Sequence, residues 1–219
     1  MKNWIDNDLY VAENLIEEDA ALQHAIKASI ENGLPDFQVS PAQGKFLYLL
    51  AKIKNAKRIL ELGTLGGYST IWLARALPDD GTLISLEYSE LHADVARKNI
   101  EFAGLSDKVM ILQGPAADSM NKLIEEKAES FDMIFIDADK PNYPLYFELS
   151  LRLSKSGTVI YADNVIRCGD LDDEDRIVPV SNGAKQFIRA LGKSAAVESI
   201  ALQTVDIKGH DGFSLSIVK

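Results

Sequence analysis

Residues 135 to 140, Phe135-Ile136-Asp137-Ala138-Asp139-Lys140, pass from an apolar run straight into two carboxylates and an amine. A later apolar run, Thr158 to Ala162, ends in the same way, in Asp163-Asn164. Asp137, Asp163 and Asn164 offer only oxygen donors, the hard set that suits Mg²⁺, Mn²⁺ or Ca²⁺ and does not suit zinc. Mg²⁺ typically takes one or two carboxylates and leaves other positions to water or substrate, which leaves room for a bidentate substrate. Each residue alone has a plainer reading. Asp-Asn after a strand is often a turn or a helix cap, and Lys140 beside Asp137 or Asp139 would be an ion pair of little worth. As a set at strand ends they favour chemistry, with Lys140 a general base or a positive group beside a forming oxyanion. Pro141 biases Lys140 toward an extended backbone.

A second constellation is Glu61-Leu62-Gly63-Thr64-Leu65-Gly66-Gly67-Tyr68-Ser69-Thr70. Glycines between a strand and a helix permit positive φ and close approach of a ligand to the backbone. The loop lacks the Gly-Lys-Ser/Thr of a phosphate-gripping loop and the Gly-x-Gly-x-x-Gly of a dinucleotide site. Acidic Glu61 would repel a pyrophosphate, and Glu87, ending the next apolar run, is placed to accept from the two hydroxyls of a ribose. These features suit a nucleoside that lacks phosphate and carries positive charge, which describes S-adenosylmethionine. Gly114-Pro115-Ala116-Ala117 leaves room for a flat adenine.

What must position these groups is a β-helix-β series. Strands are expected at 58–62, 82–86, 109–112, 133–136 and 158–162, with helices starting near Gly67, Glu90, Ala116 and Tyr143. Almost wholly apolar strands in such a series are buried on both faces, so the fold class is α/β, a parallel sheet between helices. Residues 198–205 and 212–218 flank the turn-rich Gly209-His210-Asp211-Gly212 and read as a hairpin, an antiparallel pair closing one edge. Ligands of open parallel sheets sit beyond the carboxyl ends of the strands, where five polar clusters fall. Upstream, Leu15, Leu22, Ile26 and Ile30 predict one apolar helical face that Asn32-Gly33 stops. Ser40-Pro41-Ala42-Gln43 announces a capping box, followed by a buried stripe of Phe46, Leu47, Leu50 and Ile53.

Bulk properties set the bounds. A chain of 219 residues, 47% hydrophobic and 26% charged, is in the ordinary globular class, with one domain over 1–219 the default. The N-terminus carries acids where a secretory signal needs an apolar stretch, and no eighteen apolar residues run together, so no membrane partner and a cytoplasmic location are expected. The lone Cys168 rules out a Cys-based zinc cluster and an intrachain disulfide. A net charge of -10 disfavours broad binding of nucleic acid. His24, His92 and His210 are scattered and are assigned no catalysis.

Taken in order, Val39-Ser40, Glu61-Leu62-Gly63 through Gly67-Tyr68-Ser69, Glu87, Gly114, Asp137-Ala138-Asp139-Lys140 and Ala162-Asp163-Asn164-Val165 resemble the cation-dependent class I S-adenosylmethionine O-methyltransferases, the group of catechol and caffeoyl-coenzyme A O-methyltransferases. The resemblance runs from about Gln38 to the C-terminus. It implies a Rossmann-like seven-stranded sheet, mostly parallel with its last strand antiparallel, and N-terminal helices over 1–56 covering the cofactor above a core of 57–219. It implies Asp137, Asp163 and Asn164 as metal ligands, Lys140 as catalytic base, and Val39, Glu61, Gly63, Ser69, Glu87, Ala116 and Asp139 as cofactor contacts. The expected acceptor is a small phenolic with neighbouring hydroxyls, with a hydroxylated uridine of transfer RNA as the alternative, and a homodimer is the expected assembly. A nicotinamide dehydrogenase would share the sheet but need the missing glycine spacing, and a metal-dependent phosphoesterase would leave Glu61 and Glu87 unexplained. Plant relatives have an aromatic residue shortly after Asp-Asn where this chain has Val165-Ile166-Arg167-Cys168-Gly169; Arg167 is either a greeting for an acidic substrate tail or solvent-facing. The acidic stretch 170–175 reads as a surface loop, or as a lid.

Overall fold

The computed structural model describes residues 4–166 and 179–219, with the side chains of 179–181 set aside. Arg167, Cys168 and the acidic stretch 170–175 lie outside the described residues. The chain forms two compact units, Met1–Ala116 and Ala117–Lys219. Its strands form a seven-stranded sheet in the order β3-β2-β1-β4-β5-β7-β6.

The first unit carries α1 (Trp4–Leu15), α2 (Ala20–Glu31), α3 (Pro41–Lys54), β1 (Arg58–Leu62), α4 (Tyr68–Ala76), β2 (Thr82–Glu87), α5 (Glu90–Phe102) and β3 (Val109–Gln113). β1 pairs in parallel with β2 and β2 with β3, in a register that sets Leu62 opposite Leu86 and Glu87 opposite Gln113. Ile59, Leu60 and Leu62 are buried, as a strand covered on both faces requires. Burial of these side chains is the main stabilising term, about 1.5–3 kcal/mol for each large one.

The second unit continues from α6 (Ala116–Glu125) through β4 (Phe131–Ile136), a 3₁₀ turn at Lys140–Asn142, α7 (Tyr143–Arg152), β5 (Ser154–Ala162), α8 (Pro179–Lys193), β6 (Val197–Asp206) and β7 (Gly209–Val218). β4 and β5 are parallel, while β7 runs antiparallel to both β5 and β6. The expected α/β class, parallel strands and antiparallel last strand are all present. Among the described residues no helix is long and apolar enough to cross a membrane.

Several local expectations are overturned. The single helical face from Leu15 to Ile30 is two helices, broken at residues 16–19, where Asp19 caps α2 by accepting from the Leu22 amide. Leu15 and Ile30 are 70% and 68% exposed, and the face that packs is Ala21, Leu22, Ala25 and Ser29. In α3 the Ser40–Gln43 capping box forms as expected, yet Phe46 and Ile53 are exposed and the buried residues are Gly44, Leu47 and Ala51. Small residues win because α3 packs closely enough on α4 that a Cβ on Gly44 would lie 2.4 Å from the Trp72 ring. The hairpin turn is Ile207-Lys208, not residues 209–212: Asp206 pairs with Gly209, and β7 begins there. Helix α8 was not foreseen, although Ala184, Phe187 and Leu191 recur at helical spacing and are buried.

Candidate active site

In the first unit, the turn after β1 is built around two buried glutamates. Glu61 is fully buried and accepts from three hydroxyls, Ser69 Oγ at 2.6 Å, Thr70 Oγ1 at 2.5 Å and Ser85 Oγ at 2.7 Å. Multiple hydrogen bonds are what permit a carboxylate in an apolar surround. Glu87 Oε2 accepts from the amides of Thr64 at 3.1 Å and Leu65 at 2.8 Å, and Oε1 accepts from the Ser89 amide at 2.9 Å. The last acid of β2 therefore shapes the glycine loop directly. Gly63 and Gly67 have φ of +93° and +84°, the left-handed region in which a Cβ is strained. Asn99, buried on α5, donates from Nδ2 to the Gly66 carbonyl at 2.8 Å and ties the loop from the other side. Val39 is buried next to the α3 cap, and Ala116 opens α6 half-exposed. Glu61 through Ser69, and Glu87 through the Thr64 and Leu65 amides, thus hold the one loop that carries Gly63, an arrangement their spacing alone did not show.

In the second unit, the ends of β4 and β5 bring Asp137, Lys140, Asp163 and Asn164 together. Lys140 is 5% exposed and its Nζ donates to Asp137 Oδ1 at 3.0 Å and to the Tyr143 hydroxyl at 2.6 Å. The Tyr143 hydroxyl donates in turn to the Asp163 carbonyl at 3.0 Å, with the Ile136 carbonyl at 3.2 Å. One buried phenol therefore joins the base candidate to both strand ends. Burial, reinforced by the negative charges of Asp137 and Asp163, pushes the Tyr143 hydroxyl well above its ordinary range, so it stays a neutral donor. Lys140 opens the 3₁₀ turn, and the extended residue is Asp139, at φ −67° and ψ 119°. The bias expected from Pro141 is thus not followed at Lys140. Asp139 is exposed and accepts from Tyr146 Oη and Asn142 Nδ2.

Asp163 is almost wholly buried, and desolvation, then the nearby Asp137 charge, push its carboxyl up to about 7. Lys140 offsets part of this. Two acids and an amide at adjacent strand ends, short of positive charge, fit a divalent cation. Among the described residues no trio of His, Cys, Asp and Glu forms a metal cluster. Two carboxylates with one amide oxygen still suffice for a cation that keeps water and substrate in its other positions. Asn164 sits at φ +53°, a left-handed conformation that Asn tolerates better than most residues.

Sequence reasoning missed three contributors. Tyr143 was read only as a helix start, yet its position three residues after Lys140 at the start of a helix was a usable signal. Asp211 was read as a turn residue, but its side chain accepts from Asn164 Nδ2 at 2.9 Å. Gly183 on α8 passes so close to the Lys140 main chain that a Cβ there would lie 2.1 Å from the Lys140 carbonyl oxygen. Both of the last two are long-range contacts that no local pattern marks.

A seven-stranded sheet with its last strand antiparallel, and acids at successive strand ends, defines the class I methyltransferase architecture. Residues 12–216 match the O-methyltransferase family. The catechol O-methyltransferase of Niastella koreensis is 54% identical over 212 residues, spanning 97% of this chain and 96% of that protein. That of Mycobacterium tuberculosis is 43% identical over 218 residues, spanning 98% and 96%. The crystal structure of the Bacillus cereus O-methyltransferase in complex with SAH superposes with a TM-score of 0.97 at 49% identity, covering 99% of this chain and 98% of that one. The chain belongs to this O-methyltransferase family and is an enzyme of that kind, which removes the dehydrogenase and phosphoesterase alternatives.

Proposed function

We propose that this enzyme transfers the methyl group of S-adenosylmethionine to one hydroxyl of a catechol-type small phenolic in a divalent-metal-dependent reaction. The observation that carries the metal-dependent part is the buried Asp163 carboxyl beside the half-buried Asp137, with the buried Lys140 hydrogen-bonded to Asp137. The relatives named catechol O-methyltransferase support the acceptor class. The SAH-bound relative supports the methyl donor.

The chemistry sets what the residues must supply. A phenol titrates near pH 10, so its phenolate costs about 4 kcal/mol at pH 7. When bound, a Mg²⁺, Mn²⁺ or Ca²⁺ ion supplies Lewis-acid stabilisation of that oxygen, and S-adenosylmethionine supplies the methyl group. Asp137, Asp163 and Asn164 would hold the cation. Lys140 is the proposed acceptor of the phenolic proton as the O–C bond forms and the C–S bond of S-adenosylmethionine breaks, with S-adenosylhomocysteine as the leaving product. The Tyr143 hydroxyl keeps Lys140 Nζ aimed toward Asp137. Glu61, Gly63, Ser69 and Glu87 are the proposed donor contacts of this loop, where Glu61 also fixes the Ser69 hydroxyl and Glu87 also gathers the loop amides. Val39, Ala116 and Asp139 complete the proposed donor contacts.

Methyl uptake from labelled S-adenosylmethionine tests this reading on dihydroxy aromatics, matched monohydroxy controls, and transfer RNA with and without the hydroxylated uridine. Transfer confined to the dihydroxy compounds and lost on chelation is the expected outcome. Turnover that survives saturating chelator refutes the metal, and uptake by hydroxylated transfer RNA alone refutes the acceptor. We also infer a homodimer, since Ile200, Leu202, Val205 and Ile217 leave large apolar side chains exposed on the terminal hairpin.

A further inference from the structure

The terminal hairpin returns an acid to the end of β5. Asp211 stands 47 residues beyond Asn164, and its Oδ2 accepts from Asn164 Nδ2 at 2.9 Å. Its other oxygen, Oδ1, accepts from the Gly212 amide at 2.8 Å, while the Gly212 carbonyl accepts from the Val165 amide at 2.9 Å. The acid is therefore anchored by main-chain bonds on both sides of the contact. The approach is close: a Cβ on Gly212 would lie 2.3 Å from Ile166 Cγ1 and 2.5 Å from the Leu202 carbonyl oxygen.

An asparagine amide has two unlike ends. Its oxygen can ligate a cation, while its NH₂ group can only donate. A wrong rotation about the last side-chain bond would turn NH₂ toward the metal and lose the ligand. An ionised carboxylate accepts and never donates, so a carboxylate facing Asn164 selects one of the two orientations. We propose that Asp211 is a positioning residue for the metal centre, holding Asn164 Nδ2 so that Asn164 Oδ1 is presented to the cation. It acts through Asn164 and does not itself ligate. The inference rests on the metal reading under "Proposed function", and it adds a determinant of that site supplied by the last hairpin of the fold.

Mn²⁺ binding to the full chain, followed by calorimetry and by the spin-resonance signal of unbound Mn²⁺, tests the proposal without turnover. Asp211→Ala should weaken binding about 10–100-fold, the usual cost of losing a partner that orients a ligand, whereas Asp211→Asn should stay within about threefold of wild type. The conservative variant keeps an acceptor oxygen for the amide but removes the charge, so it separates orientation from simple attraction. In an Asn164→Ala background, Asp211→Ala should cost less than about twofold more, because the group it orients is gone. The exchange N164D/D211N, which reverses the direction of the same hydrogen bond, should bind Mn²⁺ at least about tenfold tighter than N164D alone, where two carboxylates face each other. It also decides the matter if Asp211→Ala fails to fold. Wild-type affinity in Asp211→Ala, an equal loss with and without Asn164, or no gain in the exchange would each overturn the proposal while leaving the metal reading intact. A wild-type chain that binds no Mn²⁺ would overturn both.

Discussion

Lys140 keeps a long cationic side chain inside the protein because a carboxylate and a phenol meet its ammonium, with the Tyr143 ring centroid 4.7 Å away. Replacing it with methionine preserves the packing and removes the proton acceptor. Lys140→Met should lower kcat about 10²–10⁴-fold with the dissociation constant for S-adenosylmethionine unchanged, as calorimetry would show. Asp163 makes the opposite bargain, a carboxyl short of compensation. Its pKa rises from an ordinary 3.8 to about 7 on folding, so between those values the native chain holds a proton that the unfolded chain releases. Stability from this group is thus fully present below about pH 4 and is lost as pH rises through about 7, a loss of a few kcal/mol without metal. The urea midpoint of the chelated protein should fall between pH 5 and pH 8, and Mg²⁺ should restore it more strongly at pH 8. A midpoint independent of pH would show that Asp163 is not held this way. The placement of Asp137 and Asp163 at strand ends was legible in the sequence because each directly follows an apolar strand, with Asn164 and Lys140 one and three residues further on. Tyr143 and Asp211 were not, since their roles arise from hydrogen bonds made after folding.

Helices and turns set where those groups stand. The 3₁₀ turn that carries Lys140 is braced by α8, and Gly183 is the point of closest passage. Gly183→Ala must push that turn or tilt the helix, at a cost of about 1–3 kcal/mol for overpacking. Thermal unfolding should show that loss, and kcat should fall while donor affinity holds. Ser40→Ala removes one half of the α3 capping box and should cost about 1 kcal/mol. The capping box was readable because its signature is local. The packed face of α3 was not: periodicity marked Phe46 and Ile53, but the neighbouring helix selects Gly44, Leu47 and Ala51. The break between α1 and α2 was missed for a related reason. Leu15 and Leu22 share a helical spacing across four residues that are not helical, where Asp19 ends one pattern by capping the next.

At the scale of the whole chain, ligand binding and assembly should be visible as stability and mass. Mg²⁺ at one hundred times its dissociation constant should add about 2.7 kcal/mol, or about 5–10 °C in melting temperature for a chain of this size, and chelator should remove it. Leu202→Glu on the exposed hairpin face should convert the inferred dimer to monomer by light scattering, leaving the circular dichroism spectrum unchanged. By itself the sequence determined the α/β class, the order of its strands along the chain and the acids at their ends, because alternation of apolar runs with helical patterns is a local property of the chain. Only the tertiary structure decided that Glu61 would be caged by three hydroxyls, that Tyr143 would bind Lys140, and that a hairpin 47 residues downstream would grip Asn164. Those pairings span separations from three residues to 47, and a polar group drawn out of water takes whatever partner the packing brings within reach.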